Sequence, residues 1–312
     1  MELFDPTPTR EVAVRLYADE VKPTTGPAGD CPWLYIGMLA IPEELHGHAL
    51  GALEEARRKV GYERELHFTH LTQYPKIQLA KAWVQLVLGD ARKCFHFHLL
   101  GIDLSKLRKE AFGDSRRERE RRIYNRFFRS TTAYVLKGFF LSDPRVHGVR
   151  VTGVFHDRSE MEHDDLFDWH LMWRLGQDEP GIVFESERIH FIDSDHTKEQ
   201  VFPSESHFIQ LVDILLGATR ECLDYTSEKP GPIEVATAFA PLLERLTDPK
   251  RAFNPNSRYR YYHRCSVSFF PSKELALSEL NTLERARSRI YIERPLRMIH
   301  GRSGQQSLPL GE

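Results

Sequence analysis

The stretch Val12–Glu20, VAVRLYADE, constrains the fold most, because it reads as a buried strand that carries two carboxylates at its end. Val12, Val14 and Leu16 alternate with Ala13, Arg15 and Tyr17, the period of two that marks a strand. Pro23, Gly26, Pro27 and Gly29 follow at once and predict that the strand stops at Asp19-Glu20. A strand end is a rigid support, so an acid placed there can be aimed into a cleft, as a metal-binding or catalytic carboxylate must be. For one such acid a solvated strand end is the plainer reading, and only acids elsewhere in the chain decide between the two.

The 312 residues, 41% of them hydrophobic, suffice for one large core or two domains of a soluble globular protein. No apolar run approaches the roughly 20 residues that span a membrane, and the N-terminal MELFDPTPTR lacks the order of a signal peptide. A cytoplasmic location without a membrane partner is therefore the expectation. Cys31, Cys94, Cys222 and Cys265 contain no C-x-x-C pair, so neither a zinc knuckle nor a disulfide framework is expected. With 43 basic and 45 acidic side chains the formal charge is −2, so any affinity for nucleic acid must come from a local patch.

Along the chain, Trp33–Ile41 reads as a strand buried on both faces, and Pro42 to about Val60 as a helix with an apolar stripe. Glu65-Leu66-His67-Phe68 is a short polar–apolar alternation before a second helix from about Pro75 to Leu88. In Cys94–Leu99, Phe95, Phe97 and Leu99 point to the core. Cys94, His96 and His98 share the other face, either as part of a zinc or iron site or as an ordinary half-exposed strand face.

A long helical segment from Asp114 to about Leu141 opens with Arg116, Arg117, Arg119, Arg121 and Arg122, and Arg126 and Arg129 continue the charge beside Tyr124, Phe127 and Phe128. It is either a solvated face paired with Glu118 and Glu120 or a phosphate-contacting surface. Val146–His156 reads as another strand, again ending on an acid, Asp157. A helix from about Asp164 to Leu175 and a hairpin or long strand over Gly181–Ile192 follow. Strands alternating with helices indicate an α/β layer architecture.

Ser206–Cys222 is a helix apolar over most of its circumference, with Asp213 among Ile209, Leu211, Val212, Ile214, Leu215 and Leu216. An ionised carboxylate there is costly unless paired or metal-bound. Gly217 and Ala218 would let this helix lie close to a sheet. A helix in Pro230–Leu246, a strand in Arg258–Phe270, a helix over Ser272–Ser288 and a frayed tail from about Gly301 complete the expected order.

Asp19, Glu65, Asp157 and Asp213 thus supply four acids on strand ends, an extended segment and a late helix, the order in which ribonuclease-H-like nucleases build their site. Hard oxygen donors suit Mg²⁺ or Mn²⁺, and two such ions roughly 4 Å apart can clamp the attacking and leaving oxygens of a phosphodiester. His67, two residues from Glu65, could order water or move a proton, or simply pack.

The pattern YADE, ELHF, VFHD and FIDSDHTKEQVFPSESHFIQLVDILLGATREC resembles the bacterial domain-of-unknown-function 3800 family, in which an Asp-Glu near the N-terminus accompanies a late Gln-Leu-x-Asp helix followed by small residues. Here Gln210, Leu211, Asp213 and Gly217-Ala218 carry the second motif, and Val21-Lys22 stand where the family often has Ser/Thr-Gly. The resemblance covers about Val12 to Cys222. It implies a ribonuclease-H-like fold, and with the elements read above the expectation is a mixed sheet flanked by helices over residues 1–225, with residues 226–312 as a mostly helical extension packed on it. It also implies a metal-dependent nuclease with Asp19 bridging two Mg²⁺ or Mn²⁺ ions and Asp157, Glu65 and Asp213 completing the ligands. The competing expectation is a non-catalytic module that binds nucleic acid or protein on the same fold.

Overall fold

Both faces of β1 (Arg10–Val21) are buried: Val14, Leu16 and Ala18 lie on one side and Tyr17 on the other, all fully covered. A strand of this kind must lie inside a sheet with a helical layer on each face. The computed structural model describes residues 10–23, 32–89, 93–158, 170–186, 188–224, 227–247 and 264–271, and shows that arrangement. Among them the order continues with β2 (Trp33–Pro42), α1 (Glu43–Val60), α2 (Tyr74–Leu88), β3 (His96–Asp103), α3 (Arg116–Leu136) and β4 (Val146–Asp157). Then come α4 (Leu171–Asp178), β5 (Ile182–Phe184), β6 (Ile189–Ile192), α5 (Pro203–Asp224), α6 (Pro230–Thr247) and β7 (Cys265–Phe270). No helix among the described residues is long and apolar enough to cross a membrane.

The fold is α/β, a mixed sheet of seven described strands in the order β5-β4-β1-β2-β3-β7, with β6 also on β4. β2 runs antiparallel to both β1 and β3, while β4 is parallel to β1, β7 to β3, and β5 and β6 to β4. All strands but β2 therefore share one direction. Ala18 pairs with His156, so Asp19 and Asp157, one residue further, leave neighbouring parallel strands at their carboxyl ends, where open α/β sheets bind ligands.

One sheet face, with Tyr17, Leu39, Phe97 and Phe155, packs on α1, α2, α5 and α6 through Leu53, Trp83, Leu211 and Phe239. The other, with Leu16, Ala18 and Val154, packs on α3 and α4 through Phe127, Phe128 and Met172. α5 is buried nearly all round because it lies between the sheet and α6. It is also tied to β1 by polar groups: Arg15 donates to Glu205 on α5 (2.5 Å) and to Glu43 on α1 (2.8 Å), and Tyr17 donates to Glu205.

Two glycines permit the close approaches around α5. A Cβ on Gly37 of β2 would stand 3.2 Å from Val212 Cγ1, so this glycine lets the helix lie on the sheet. A Cβ on Gly217 would stand 2.2 Å from Cγ of Phe68. Gly217 was expected to serve the sheet contact; its missing side chain makes room instead for the Phe68 ring.

Several expectations need correction. β1 runs on to Val21, which still pairs with Tyr35, so Asp19 and Glu20 sit inside the strand's last turns of pleat. Cys94, His96 and His98 do not share a half-exposed face. β3 begins only at His96, Cys94 belongs to the same apolar cluster as Phe95 and Phe97, and His96 and His98 are buried. His96 packs against Phe140 (4.8 Å between rings) and His98 against Tyr134 (4.3 Å). Burial pushes His98 down to about 3, and its two ring nitrogens are bonded to Ser266 Oγ (2.7 Å) and Ser268 Oγ (3.3 Å) within the core.

Gly181–Ile192 is no hairpin, since β5 and β6 both pair in parallel with β4, on Val149–Val151 and Val154–Asp157. The fourth helix begins at Leu171 and reaches Asp178, with 164–169 outside the described residues. α6 and β7 share the core and the sheet with the rest. Cys31, the helix expected over Ser272–Ser288 and the tail from Gly301 lie outside the described residues; Cys94, Cys222 and Cys265 are free, buried thiols.

Gly217→Ala should destabilise the chain by roughly 1–3 kcal/mol, the usual cost of overpacking a filled core, read as a lower urea midpoint. Combining it with Phe68→Ala should recover part of the loss, through the coupling expected of residues in contact.

Candidate functional site

The carboxyl ends of β1 and β4 and the middle of α5 bring Asp19, Asp157 and Asp213 into one another's field. Burial raises the Asp19 carboxyl well above its usual range, and the charges of Asp157, Asp213 and Glu20 add to the effect. Burial also pushes Asp157 up to about 6; the nearby His156 opposes this, while Asp213 and Glu20 reinforce it. Asp213 is raised by burial against the opposing pull of His67 and of a backbone hydrogen bond, with Glu65 adding to the rise. This is the signature of like charges held together in a poorly solvated place. Asp157 and Asp213 thus lie within the field of Asp19, and Glu65 within that of Asp213.

How Glu65 arrives there depends on α5. Residues 65–67 lead, with His67 extended, into the 3₁₀ turn Phe68–His70; Leu66 and Phe68 are buried in the core while Glu65 and His67 are half-buried. The backbone N–H of Leu66 donates to Gln210 Oε1 (2.9 Å), and that of Phe68 to Asp213 Oδ2 (2.7 Å). Gln210 and Asp213 are one helical turn apart, and so they receive alternate N–H groups of one extended segment.

Arg57 of α1, 2% exposed, holds the approach to it. Its guanidinium donates to the carbonyls of Tyr62 (3.3 Å) and Arg64 (2.8 Å), to His207 Nδ1 (3.2 Å) and to Gln210. The Glu65 carboxylate accepts from Ser194 Oγ (2.8 Å) in the loop before α5.

His67 is engaged locally. Its Nδ1 accepts from the Thr69 N–H (3.3 Å) and contacts Thr69 Oγ1 (3.0 Å), capping the 3₁₀ turn Phe68–His70. The tautomer that accepts at Nδ1 carries its proton on Nε2, so the 3.8 Å approach of Nδ1 to Asp213 is a contact without a shared proton.

Glu20 and His156 lie next to these acids in sequence but on the opposite sheet face, since neighbouring strand residues alternate. Glu20 Oε2 is 3.3 Å from His156 Nε2 and accepts from Tyr124 of α3 (3.2 Å), while Tyr124 Oη is 2.7 Å from the same His156 nitrogen. His156 Nδ1 faces the Asp157 carbonyl at 2.7 Å. Both ring nitrogens thus meet acceptors, the arrangement of an imidazolium. Burial works against that charge, but Glu20 outweighs it and His156 is held above its usual range. Burial likewise opposes the Glu20 charge, and His156, with Lys22 and Tyr124, holds it below the usual range.

Sequence reasoning missed this group, as it missed Arg57 and Ser194. The alternation of the strands could have revealed that Asp19-Glu20 and His156-Asp157 each split between two faces.

The arginines expected at a nucleic-acid surface lie on α3, on the sheet face opposite α5, with Arg116, Arg117 and Arg119 in its first turn and Arg126 and Arg129 near its middle. Arg116 pairs with Glu120 (2.8 Å), Arg119 donates to the carbonyls of Gly113 (2.8 Å) and Asp114 (2.7 Å), and Arg129 pairs with Asp178 (3.2 Å). Arg117 and Arg126 also make interactions of their own. Tyr124, on the same helix, reaches Glu20, which puts this end of α3 at the sheet edge that carries the acids.

Among the described residues, no three His, Cys, Asp or Glu side chains form a group that could hold a metal ion as they stand. The donor set itself is of the right chemistry, all hard carboxylate oxygens. No family model matches the chain, and no curated protein matches it, so the resemblance to the domain-of-unknown-function 3800 family rests on its short motifs alone.

Because the folded Asp157 titrates near 6 against an ordinary 3.8, folding favours its neutral form. That contribution is complete below about pH 4 and is lost as pH rises through about 6, a penalty on the order of 2–3 kcal/mol at neutral pH. His156 shifts in the same direction, so the acid must be isolated by substitution. In chelator-treated protein, urea unfolding between pH 5 and 7.5 should show a falling midpoint that Asp157→Asn makes shallower, the remainder belonging to Asp19, Asp213 and His156, which shift the same way; equal slopes in both proteins would contradict the assignment.

Proposed function

We propose that this chain is a metal-dependent phosphodiesterase of the nuclease class on a ribonuclease-H-like sheet, cleaving nucleic acid with a site made of Asp19, Glu65, Asp157 and Asp213. The observation that carries the reading is the convergence of half-buried carboxylates from β1, β4 and α5: all three are raised by desolvation, with Asp157 and Asp213 adding to the rise at Asp19, Asp213 to that at Asp157, and Glu65 to that at Asp213. A structural role for Asp213 would pair it with a buried cation. Its contacts are instead the Phe68 N–H and the edge of His67 at 3.8 Å.

Two Mg²⁺ or Mn²⁺ ions held by these four acids would supply an activated water and neutralise charge on the phosphodiester. The like charges resist one another, so holding cations requires the side chains to close in from the positions they occupy now. The chain's own part is to fix their supports: β1 and β4 are clamped side by side by the ladder and by Glu20–His156, and α5 is fastened to the sheet. His67, with its proton on Nε2, has a donor to offer a phosphate oxygen. Arg116, Arg117, Arg119, Arg126 and Arg129 supply the positive stretch along which the polyanion would run.

The deciding experiment is a cleavage panel of labelled single strands, duplexes and hybrids with Mg²⁺ and Mn²⁺, beside thermal melts at millimolar metal. Either ion should raise Tm, by mass action on the folded state, and Asp19→Ala should remove both the shift and the cleavage. A flat response would assign the chain to a non-catalytic binding module. Asp213→Asn should abolish cleavage while leaving stability unchanged or higher in metal-free buffer, because one repelling charge is gone. A loss of about 3–5 kcal/mol would mark a buried ion pair instead.

Replacing Arg116, Arg117 and Arg119 together by Gln should flatten the fall of log K with log salt by more than about one unit, as each phosphate contact contributes about 0.7–0.9. A smaller change leaves these arginines to the partners they already hold in the fold.

A further inference from the structure

We infer that Gln210 is the positioning residue of the acidic site, setting Glu65 against Asp213 by tying two separate segments to one side chain; the inference rests on the carboxylate reading proposed above. An amide has an acceptor end and a donor end, and both are used. Oε1 accepts from the Leu66 N–H (2.9 Å) and from Arg57, while Nε2 donates to the Ser194 carbonyl (2.5 Å) and lies 3.4 Å from His196 Nδ1. Ser194 in turn donates its hydroxyl to Glu65 Oε1 (2.8 Å).

The result is a closed ring. From Gln210 one path fixes the backbone beside Glu65, and the other fixes the serine that orients its carboxylate. Both segments are irregular, at 65–67 and 193–195, and they meet at α5. The side chain at 210 is fully buried and one turn before Asp213, so the same rigid helix that delivers one acid also locates the other. Glu at this position would keep acceptors for Leu66 and Arg57 but would turn an oxygen toward the Ser194 carbonyl, opposing acceptor to acceptor. Only the amide satisfies both segments. Partners of this kind, which orient a ligand without touching the ion, commonly change metal affinity 10–100-fold when removed.

The test compares wild type, Gln210→Glu and Ser194→Ala by hydrogen exchange of residues 62–68 and 193–199, by Mn²⁺ titration, and by cleavage where it is found. Gln210→Glu should speed exchange in residues 193–199, leave α5 itself protected, and weaken Mn²⁺ binding about 10-fold or more. Ser194→Ala should weaken Mn²⁺ binding while residues 62–68 exchange as in wild type. Unchanged Mn²⁺ affinity in Gln210→Glu, or faster exchange spread along α5, would overturn the inference and leave Gln210 a plain core amide. If wild type itself shows no Mn²⁺ response, the carboxylate reading falls. The exchange pattern then decides the tie between the segments on its own, which stands if residues 193–199 loosen with α5 protected and falls if they do not.

Discussion

Buried like charge is the constraint around which this structure is arranged. Desolvation raises Asp19, Asp157 and Asp213, the charges of Asp157 and Asp213 add to the rise at Asp19, and a carboxylate without a cation beside it opposes folding at neutral pH. The fold tolerates them because each stands on an element secured by something else. β1 is paired on both sides and bolted to α1 and α5 through Arg15, and α5 is packed between sheet and α6. Apolar burial at roughly 25 cal/mol per Å² over two extensive clusters outweighs a penalty of a few kcal/mol at one edge of the sheet.

The polar groups that accompany the acids are sorted by sheet face. On the α3 side, Glu20 and His156 compensate each other and Tyr124 satisfies both, so this pair is self-contained. On the α5 side the described residues give Asp213 only the Phe68 N–H and the His67 contact, and the buried Arg57 is committed to carbonyls, His207 and Gln210. Burial lowers Arg57 only to about 10, so it stays charged at neutral pH, lying 4.8 Å over the Trp83 ring. Arg57 thus serves to hold the segment that brings Glu65.

Strand period and acid placement were legible in the sequence: β1, β2, β4 and α5 lie where the patterns put them, with Asp19 and Asp157 at the carboxyl ends of neighbouring strands. What could not be read were pairings between residues far apart in sequence. Nothing local tells that Gln210 meets Leu66 and Ser194, that Tyr124 reaches Glu20, or that Gly217 faces Phe68. The histidines of β3 misled because alternation reports two faces without saying that both are covered, and here α3 covers the second. The segment Gly181–Ile192 misled for a related reason, since a short strand pair beside one another in sequence need not pair with each other when β4 offers both of them a parallel edge.

The position of the basic helix follows from the same topology. β3 and β4 are parallel, so the chain leaving β3 at the carboxyl edge must travel back before β4 begins, and α3 is that return path. Its first turns therefore lie at the edge that carries the acids, while its packing face, Ile123, Tyr124, Phe127 and Phe128, fixes it to the opposite side of the sheet. Positive and negative charge end up at one edge on two faces, with the ends of β1 and β4 between them. Arg116 and Arg119 are held by Glu120 and by the carbonyls of Gly113 and Asp114, so a polyanion reaching this edge would meet guanidinium groups already oriented by the fold. Arg116 is offset by Glu120, whereas Arg119 donates to carbonyls and keeps its charge, so the positive excess at this edge is local within a chain whose net charge is −2.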